Sequence, residues 1–427
     1  MRQIAFPMVA ALLPVMSEIV LVLCWWLCTS AILTVGLKLR RFQVGREEEQ
    51  AVKERNIRIP VCAPSINRLD VEAVSKCVQS TWISGTSEIV FEFERRFANY
   101  CGCKYGVATN SGTTALHVVL AALGIRPGDE VIVPAFTMIA APNSVKYTGA
   151  KVVICDSESE TWNLDPDQLS TLVTSSTKAI MPVHIYGHPA NMDPILDFAE
   201  DHSLYVIEDA AEAHGAEYKG RRTGSVGRAG CFSFYANKII TTGEGGMVVT
   251  DDEGLAEKCR WLRAHAFGRE GKHFYHEQLG FGYRMSGLQA ALGLSQLERI
   301  DKFITVRRSH AKFYNSNLSE LEDNITLPPE AKWAKNVYWL YSILLKDSFG
   351  MTRQDFMNEL VRRGVETRTF FYPVNVQPVF SQEFVKRSFP VADMLSKEGV
   401  NLPSGSNLTN ADVSHICNCI REIRKMS

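Results

Sequence analysis

The sequence predicts an α/β fold: a mostly parallel central sheet with helices on both faces, followed by a smaller C-terminal α+β domain. Three observations carry this. Short apolar runs rich in β-branched residues recur at 131–136 (VIVPAF), 151–156 (KVVICD), 178–187 (KAIMPVHIYG) and 204–210 (LYVIEDA). Amphipathic stretches separate them, among them TTALHVVLAALG at 113–124 and MDPILDFAEDH at 192–202. Alternation of this kind argues for parallel strands covered by helices. Beyond about Ile300 the pattern turns to helices with a few strands, such as VYWLYSILL at 337–345. A chain of 427 residues also exceeds the usual size of one hydrophobic core.

Taken in order, the N-terminal segment 1–45 differs in kind from the rest. From Ile19 to Leu37 the run carries no charge and stops at Lys38, Arg40 and Arg41. Its length is about that of a bilayer core, so a transmembrane helix at 19–37 is expected. A cleaved signal peptide fits less well, because no small-residue cleavage site follows. Positive charge is denser on the C-terminal flank, which places the body of the chain in the cytosol, anchored by a single helix. A buried core helix and a mis-joined upstream segment are the alternatives. Residues 42–56 are charged and read as a solvated linker or helix, with 46–56 taken as the linker. The body divides into a large domain at 57–300 and a small one at 301–427.

Lys+Arg total 46 against Asp+Glu 47, and no long basic run breaks the body. Nucleic acid is therefore excluded as a partner, since phosphate-backbone binding needs clustered positive charge. The eleven cysteines are scattered. Cys101/Cys103 and Cys417/Cys419 lack the spacing of metal ligands, so free thiols in a reducing compartment, and no metal, are expected.

Four features converge on the carboxyl edge of the expected sheet, where open α/β sheets bind ligands. Asn110-Ser111-Gly112-Thr113-Thr114 follows the strand-like YGVAT and opens a helix, whose free amides and dipole favour a phosphate; seen alone it is an ordinary N-cap. Asp209 ends the strand LYVIED. A carboxylate there can keep a heteroaromatic nitrogen protonated, or simply cap the next helix, with Glu212 one helical turn on. In GCFSFYANKIITTGEGG (230–246) Phe232 and Phe234 share one strand face and Ser233 points to the other. Lys238 follows among apolar residues, where a lysine is expensive unless paired or unprotonated. Finally LGFGYRMSGLQAALG (279–293) is a turn entering an amphipathic helix, with Arg284 suited to a phosphate or carboxylate, or to a surface ion pair.

In order along the chain, STWISG (80–85), NSGTTALH, GDEVIVPAFT (128–137), PVHIYGHPANMDPI (182–195), EDAAEAHGAEYKG (208–220), SFYANKIITTGEGGMVVTDD (233–252), YRM (283–285) and FYPVNVQP (371–378) resemble the DegT/DnrJ/EryC1/StrS sugar aminotransferases. The resemblance implies the pyridoxal-phosphate-dependent transferase fold type I, with pyridoxal 5'-phosphate as cofactor. Lys238 would carry it covalently and move the proton between cofactor and sugar carbon. Asp209 would bind the pyridine nitrogen and Glu212 the phenolic oxygen. Ser111, Gly112, Thr113 and Ser233 would hold the phosphate, and His184 would belong to the wall around the ring. Tyr283, Arg284 and Asn375 fall on substrate-binding motifs. The resemblance also implies a homodimer with sites at the subunit boundary. Three positions depart from the family pattern. Gly282 stands for an asparagine that reaches the partner's phosphate. Met138 stands for a ring stacked on the pyridine, where a thioether can still pack. Asn375 stands for a histidine.

The wording ANKIITTGEGGM is most similar to enzymes that aminate C4 of nucleotide-linked 4-keto-6-deoxy sugars, with glutamate as donor. A C3-specific ketosugar aminotransferase and a membrane-tethered binding or regulatory homologue without turnover are the alternatives. Fold alone does not decide between them.

Overall fold

The computed structural model describes residues 58–268, 274–385 and 387–427. The expected membrane helix at 19–37 and linker at 46–56 lie outside the described residues. Among the described residues, no helix is long and apolar enough to cross a membrane.

The first elements are α1 (Arg68–Gln79), α2 (Glu88–Cys101), β1 (Tyr105–Thr109), α3 (Gly112–Ala122), β2 (Glu130–Pro134), α4 (Ala140–Tyr147), β3 (Lys151–Cys155), β4 (Thr177–Ile180), α5 (Met192–Asp201) and β5 (Tyr205–Asp209). They continue with β6 (Ala229–Ser233), β7 (Gly246–Thr250), α6 (Glu253–Leu262), α7 (Gly287–Leu297) and α8 (Ile300–Leu318). Strands β1 to β7 form one sheet in the order β1-β7-β6-β5-β4-β2-β3. Strand β2 pairs in parallel with β3 and β4, β4 with β5, and β5 with β6. Only β7 runs antiparallel to its neighbours, β6 and β1. The mostly parallel sheet is thus as expected, and its strands are buried as the apolar runs required: all five residues of β2 are inside.

The amphipathic reading of 113–124 needs correction. Residues Gly112, Ala115, Leu116, His117, Val118, Val119, Leu120 and Ala122 of α3 are all buried. The helix lies on the sheet and is covered by α4 and α6, so it has no solvent face to mark with charge. Strand β6 follows the period of two: Phe232 is fully buried, and so is Phe234 just beyond the strand, while Ser233 between them is half-buried on the other face. Burying each phenyl ring contributes roughly 2 kcal/mol.

The remaining elements are β8 (Ile325–Thr326), β9 (Tyr341–Leu345), α9 (Arg353–Arg362), β10 (Arg368–Thr369), α10 (Pro390–Glu398), β11 (Gly399–Leu402) and α11 (Asn410–Met426). Strands β8 to β11 form an antiparallel sheet in the order β8-β9-β11-β10. Its core takes Ile343, Leu345, Phe356, Leu360, Val400 and Ile416. Helix α8 serves both interiors, with Ile300, Phe303 and Ile304 in the first and Ala311, Tyr314 and Leu318 in the second. The expected strand at 337–345 is shorter than its apolar run, beginning at Tyr341. Tyr338 ahead of it takes left-handed backbone, φ +47°, which ends any extended run.

Candidate active site

Because β1, β5 and β6 run in the same direction, their carboxyl ends open on one edge. There Thr109 leads into α3, β5 ends at Asp209 and β6 ends at Ser233. A cavity of about 340 Å³ lies at this edge, lined by Ser111, Gly112, Thr113, Met138, Asp209, Glu212, Ser233 and Lys238, with Thr137, Val183, Tyr235, Asn237, Glu244, Trp339 and Phe371 among the remaining walls.

Its floor is the N-terminus of α3. The Ser111 hydroxyl caps the helix by accepting from the Thr114 amide at 3.2 Å, and the Thr114 hydroxyl accepts from the Ser111 amide at 3.1 Å. The amides of Gly112 and Thr113, at the first two helical positions, have no intrahelical partner and sit at the positive end of the helix dipole. Ser233 closes against them. A Cβ on Gly112 would lie 2.8 Å from the Ser233 Cβ, so glycine is what lets helix and strand meet. Gly246, paired with both Ser233 and Thr109, is held to the same rule by the Ser111 carbonyl, 2.2 Å from where its Cβ would be.

The opposite wall is acidic and buried. Asp209 is anchored by its own amide, which donates to the Pro182 carbonyl at 2.9 Å, and its Oδ1 accepts from the Ala211 amide at 3.1 Å. Chain 210–216 turns without forming a helix, so Asp209 caps a turn and not the helix that the sequence suggested. Burial raises the Asp209 carboxyl above its ordinary range. Burial likewise pushes Glu212 up to about 7. One oxygen of Glu212 accepts from the Tyr186 amide at 2.8 Å. Tyr186 reaches that position with φ +52°, a strained conformation for a non-glycine residue. The other oxygen lies 3.7 Å from Lys238 Nζ. Burial lowers the lysine from 10.5, although Glu212 and Asp209 favour its charged form. Lys238 Nζ also stands 3.6 Å from the centroid of the Trp339 indole.

Four expected site residues lie outside this lining. His184 is fully buried behind Asp209, with its Nδ1 accepting from the Ala190 amide at 3.0 Å. That bond leaves Nε2 as the protonated nitrogen, donating to Glu208 Oε2 at 2.9 Å. Both ring nitrogens are thus committed to the protein. The His184 amide donates to the Asp209 carbonyl at 3.1 Å, so the residue holds the carboxylate's backbone instead of facing the cavity. The Tyr283 hydroxyl bonds His117 Nδ1 at 3.0 Å, and its ring stacks on Phe281 at 4.9 Å. Arg284 is exposed, with no ion pair among the described residues. Asn375 keeps a buried Oδ1 without a partner. Trp339, Asn237 and Phe371 lie in stretches quoted from the sequence but are not singled out there as site residues. Trp339 sat in what read as a strand, with no local signal of a ligand.

Residues 64–421 match the model of the DegT/DnrJ/EryC1/StrS aminotransferase family. The chain belongs to that family. It is 43% identical over 366 residues to the GDP-perosamine synthase of Caulobacter vibrioides, covering 86% of this chain and 98% of the relative. Among solved structures, DesV of S. venezuelae in complex with a ketimine intermediate aligns with a TM-score of 0.79 and 35% identity, over 83% of this chain and 94% of that one. An aminotransferase from Psychrobacter cryohalolentis aligns with a TM-score of 0.81 and 32% identity, over 84% and 98%.

The chain is accordingly an aminotransferase that works with pyridoxal phosphate, and the cavity suits that group by charge. Two unpaired helix amides beside Ser233 await an anion. A buried carboxylate at Asp209, raised by burial, suits a protonated ring nitrogen. A buried amine, Lys238, faces the space between them. Among the described residues all nine cysteines are free and buried, so none competes as a nucleophile at this edge.

Proposed function

We propose that this aminotransferase transfers the amino group of glutamate to C4 of a nucleotide-linked 4-keto-6-deoxy sugar. The observation that carries the chemistry is Lys238, a buried amine 3.7 Å from a carboxyl pushed up to about 7, in a cavity floored by unpaired helix amides. The identity with GDP-perosamine synthase over nearly the whole body supports the nucleotide-linked sugar class, and the resemblance of ANKIITTGEGGM to C4-aminating enzymes supports the position.

When bound, pyridoxal phosphate supplies the carbonyl that takes up and returns the amine, and a ring that spreads the charge of the deprotonated carbon. The Gly112 and Thr113 amides and the Ser233 hydroxyl bind the phosphate. Asp209, its backbone held by Pro182 and His184, keeps the ring nitrogen protonated. Glu212 presents its free oxygen to the phenolic side, and its value near neutrality lets it hold or release a proton there. Lys238 Nζ, lowered by burial, takes the proton from the donor carbon and later delivers one to the sugar carbon. Met138 would pack on the ring, and Val183, Phe371 and Trp339 would line the site with apolar surface. Because the same amine serves both half-reactions, one cavity suffices for glutamate and ketosugar in turn.

Tyr283, Arg284 and Asn375 are the proposed substrate contacts. Their place outside the cavity lining fits a homodimer in which such groups complete a partner's site. Exposed apolar side chains on and beside α1 and α2 support association: Leu69, Trp82 and Phe91 are 53%, 64% and 44% exposed. Residues 19–37 serve in this reading as a tether leaving the catalytic body in the cytosol, supported by their length and the basic flank.

Full-length protein with pyridoxal phosphate, glutamate and a panel of nucleotide-linked 3-keto and 4-keto-6-deoxy sugars tests the reading. Mass spectrometry reads replacement of carbonyl by amine, and chromatography against standards places it. A C4 amine supports the proposal. A C3 amine moves the specificity, and no amine from any sugar with cofactor bound favours a binding or regulatory role.

A further inference from the structure

The wall of the cavity that faces Lys238 is not only apolar. Trp339 presents the face of its indole to Lys238 Nζ at 3.6 Å, closer than the 3.7 Å to Glu212 Oε1. The indole is fixed in that pose. Its Nε1 donates to the Asn237 carbonyl at 2.8 Å, on the residue next to the lysine, and the backbone carbonyl of Trp339 accepts from Arg307 Nη1 at 2.8 Å. The side chain is 4% exposed. Ring, carboxyl and amine therefore form a triangle of largely buried groups. An aromatic face attracts a cation most strongly where both are desolvated.

We propose that the Trp339 indole is a positioning residue, a second seat that holds the Lys238 ammonium by its π-face whenever the amine is not covalently engaged. The inference rests on the assignment of Lys238 as the amine that carries the cofactor. During each half-reaction that amine must be released, keep a proton and stay within reach. Glu212 alone is a poor holder, since its free oxygen is 3.7 Å away and its carboxyl is half protonated near neutrality. The indole attracts the ammonium at any pH and gives up nothing to titration. The other ionisable groups that bear on Lys238 are Asp209, Cys62 and His214, the last kept neutral by burial at about 3.

The sign of one measurement separates this from simple packing. In cofactor-free protein, the pH dependence of Lys238 labelling by an amine-reactive reagent gives the midpoint of its ionisation, with Lys238→Ala identifying the labelled peptide. If the indole holds the ammonium, Trp339→Leu lowers that midpoint by about one pH unit, so Lys238 labels up to about tenfold faster below the midpoint. If Trp339 only keeps water away, its loss wets the amine and the midpoint rises towards 10.5. A site-specific fluorinated tryptophan at 339 keeps the shape and drains the π-face, which covers the case where the leucine variant misfolds; it should lower the midpoint in the same sense. A midpoint that rises or stays still in the folded fluorinated protein overturns the proposal. Failure of the cofactor assignment reads out separately, as cofactor still covalently held by Lys238→Ala.

Discussion

Gly112 and Ser233 meet with no room for another atom: a methyl built on the glycine would lie 2.8 Å from the serine Cβ. The contact joins the first turn of α3 to the end of β6 at the proposed phosphate site. Gly112→Ala should therefore cost about 1–3 kcal/mol of stability, the usual penalty for overpacking. It should also weaken pyridoxal phosphate binding at least about tenfold, since a shift of a few tenths of an ångström misaims two amides. Urea denaturation and equilibrium dialysis check the two effects. Unchanged affinity would remove the phosphate from this helix end.

Lys238→Ala should lower turnover by at least about 10³-fold, the range lost with a general acid–base group. The cofactor should then leave on dialysis, with no mass increment on the intact protein. Normal turnover in this variant would sink the site assignment.

The pH dependence of stability follows from Glu212. Its folded carboxyl sits at about 7 against an ordinary 4.5, so between those values the folded state keeps a proton that the unfolded state releases. Stability is then present below about pH 4.5 and declines as pH rises to about 7. Lys238, held below 10.5, has the opposite slope between its lowered value and 10.5. Cofactor-free wild type should lose on the order of 3 kcal/mol relative to Glu212→Gln over the acid window. A flat difference between pH 4.5 and 7, measured by chemical denaturation, contradicts the assignment.

Glu208 is fully buried and accepts from the amides of Gly224, Val226 and Gly227 at 2.6–2.7 Å as well as from His184. Burial opposes its ionisation, yet the bonds from His184, Gly227 and Gly224 outweigh it and hold the carboxyl below its usual value. Glu208→Gln turns an amide group towards those donors. It should cost about 3–5 kcal/mol, with Asp209 displaced through the His184 amide. A thermal melt within one or two degrees of wild type would show that the cluster is not needed.

What was legible in the sequence follows a physical division. Asp209, Ser233 and Ser111 stand at strand ends or a helix start, where local pattern alone tells which edge they occupy. Lys238 was legible because a cation among apolar residues demands an explanation. Trp339 was not, because an aromatic in an apolar run looks like core, and the left-handed backbone at Tyr338 just before it leaves no mark in the pattern. His184 misled for the opposite reason. Its motif lies beside the site, while its tautomer depends on Glu208 and Ala190, partners that no spacing reveals.

Helix α8 enters one interior at Ile300 and leaves the other at Leu318. Neither interior can be taken apart while that rod stays seated in the other, so opening one tugs at both. A hinge between the two halves would have to bend the helix itself, at a loss of hydrogen bonds within it. Entry to the cavity would then fall to loops and side chains at its rim.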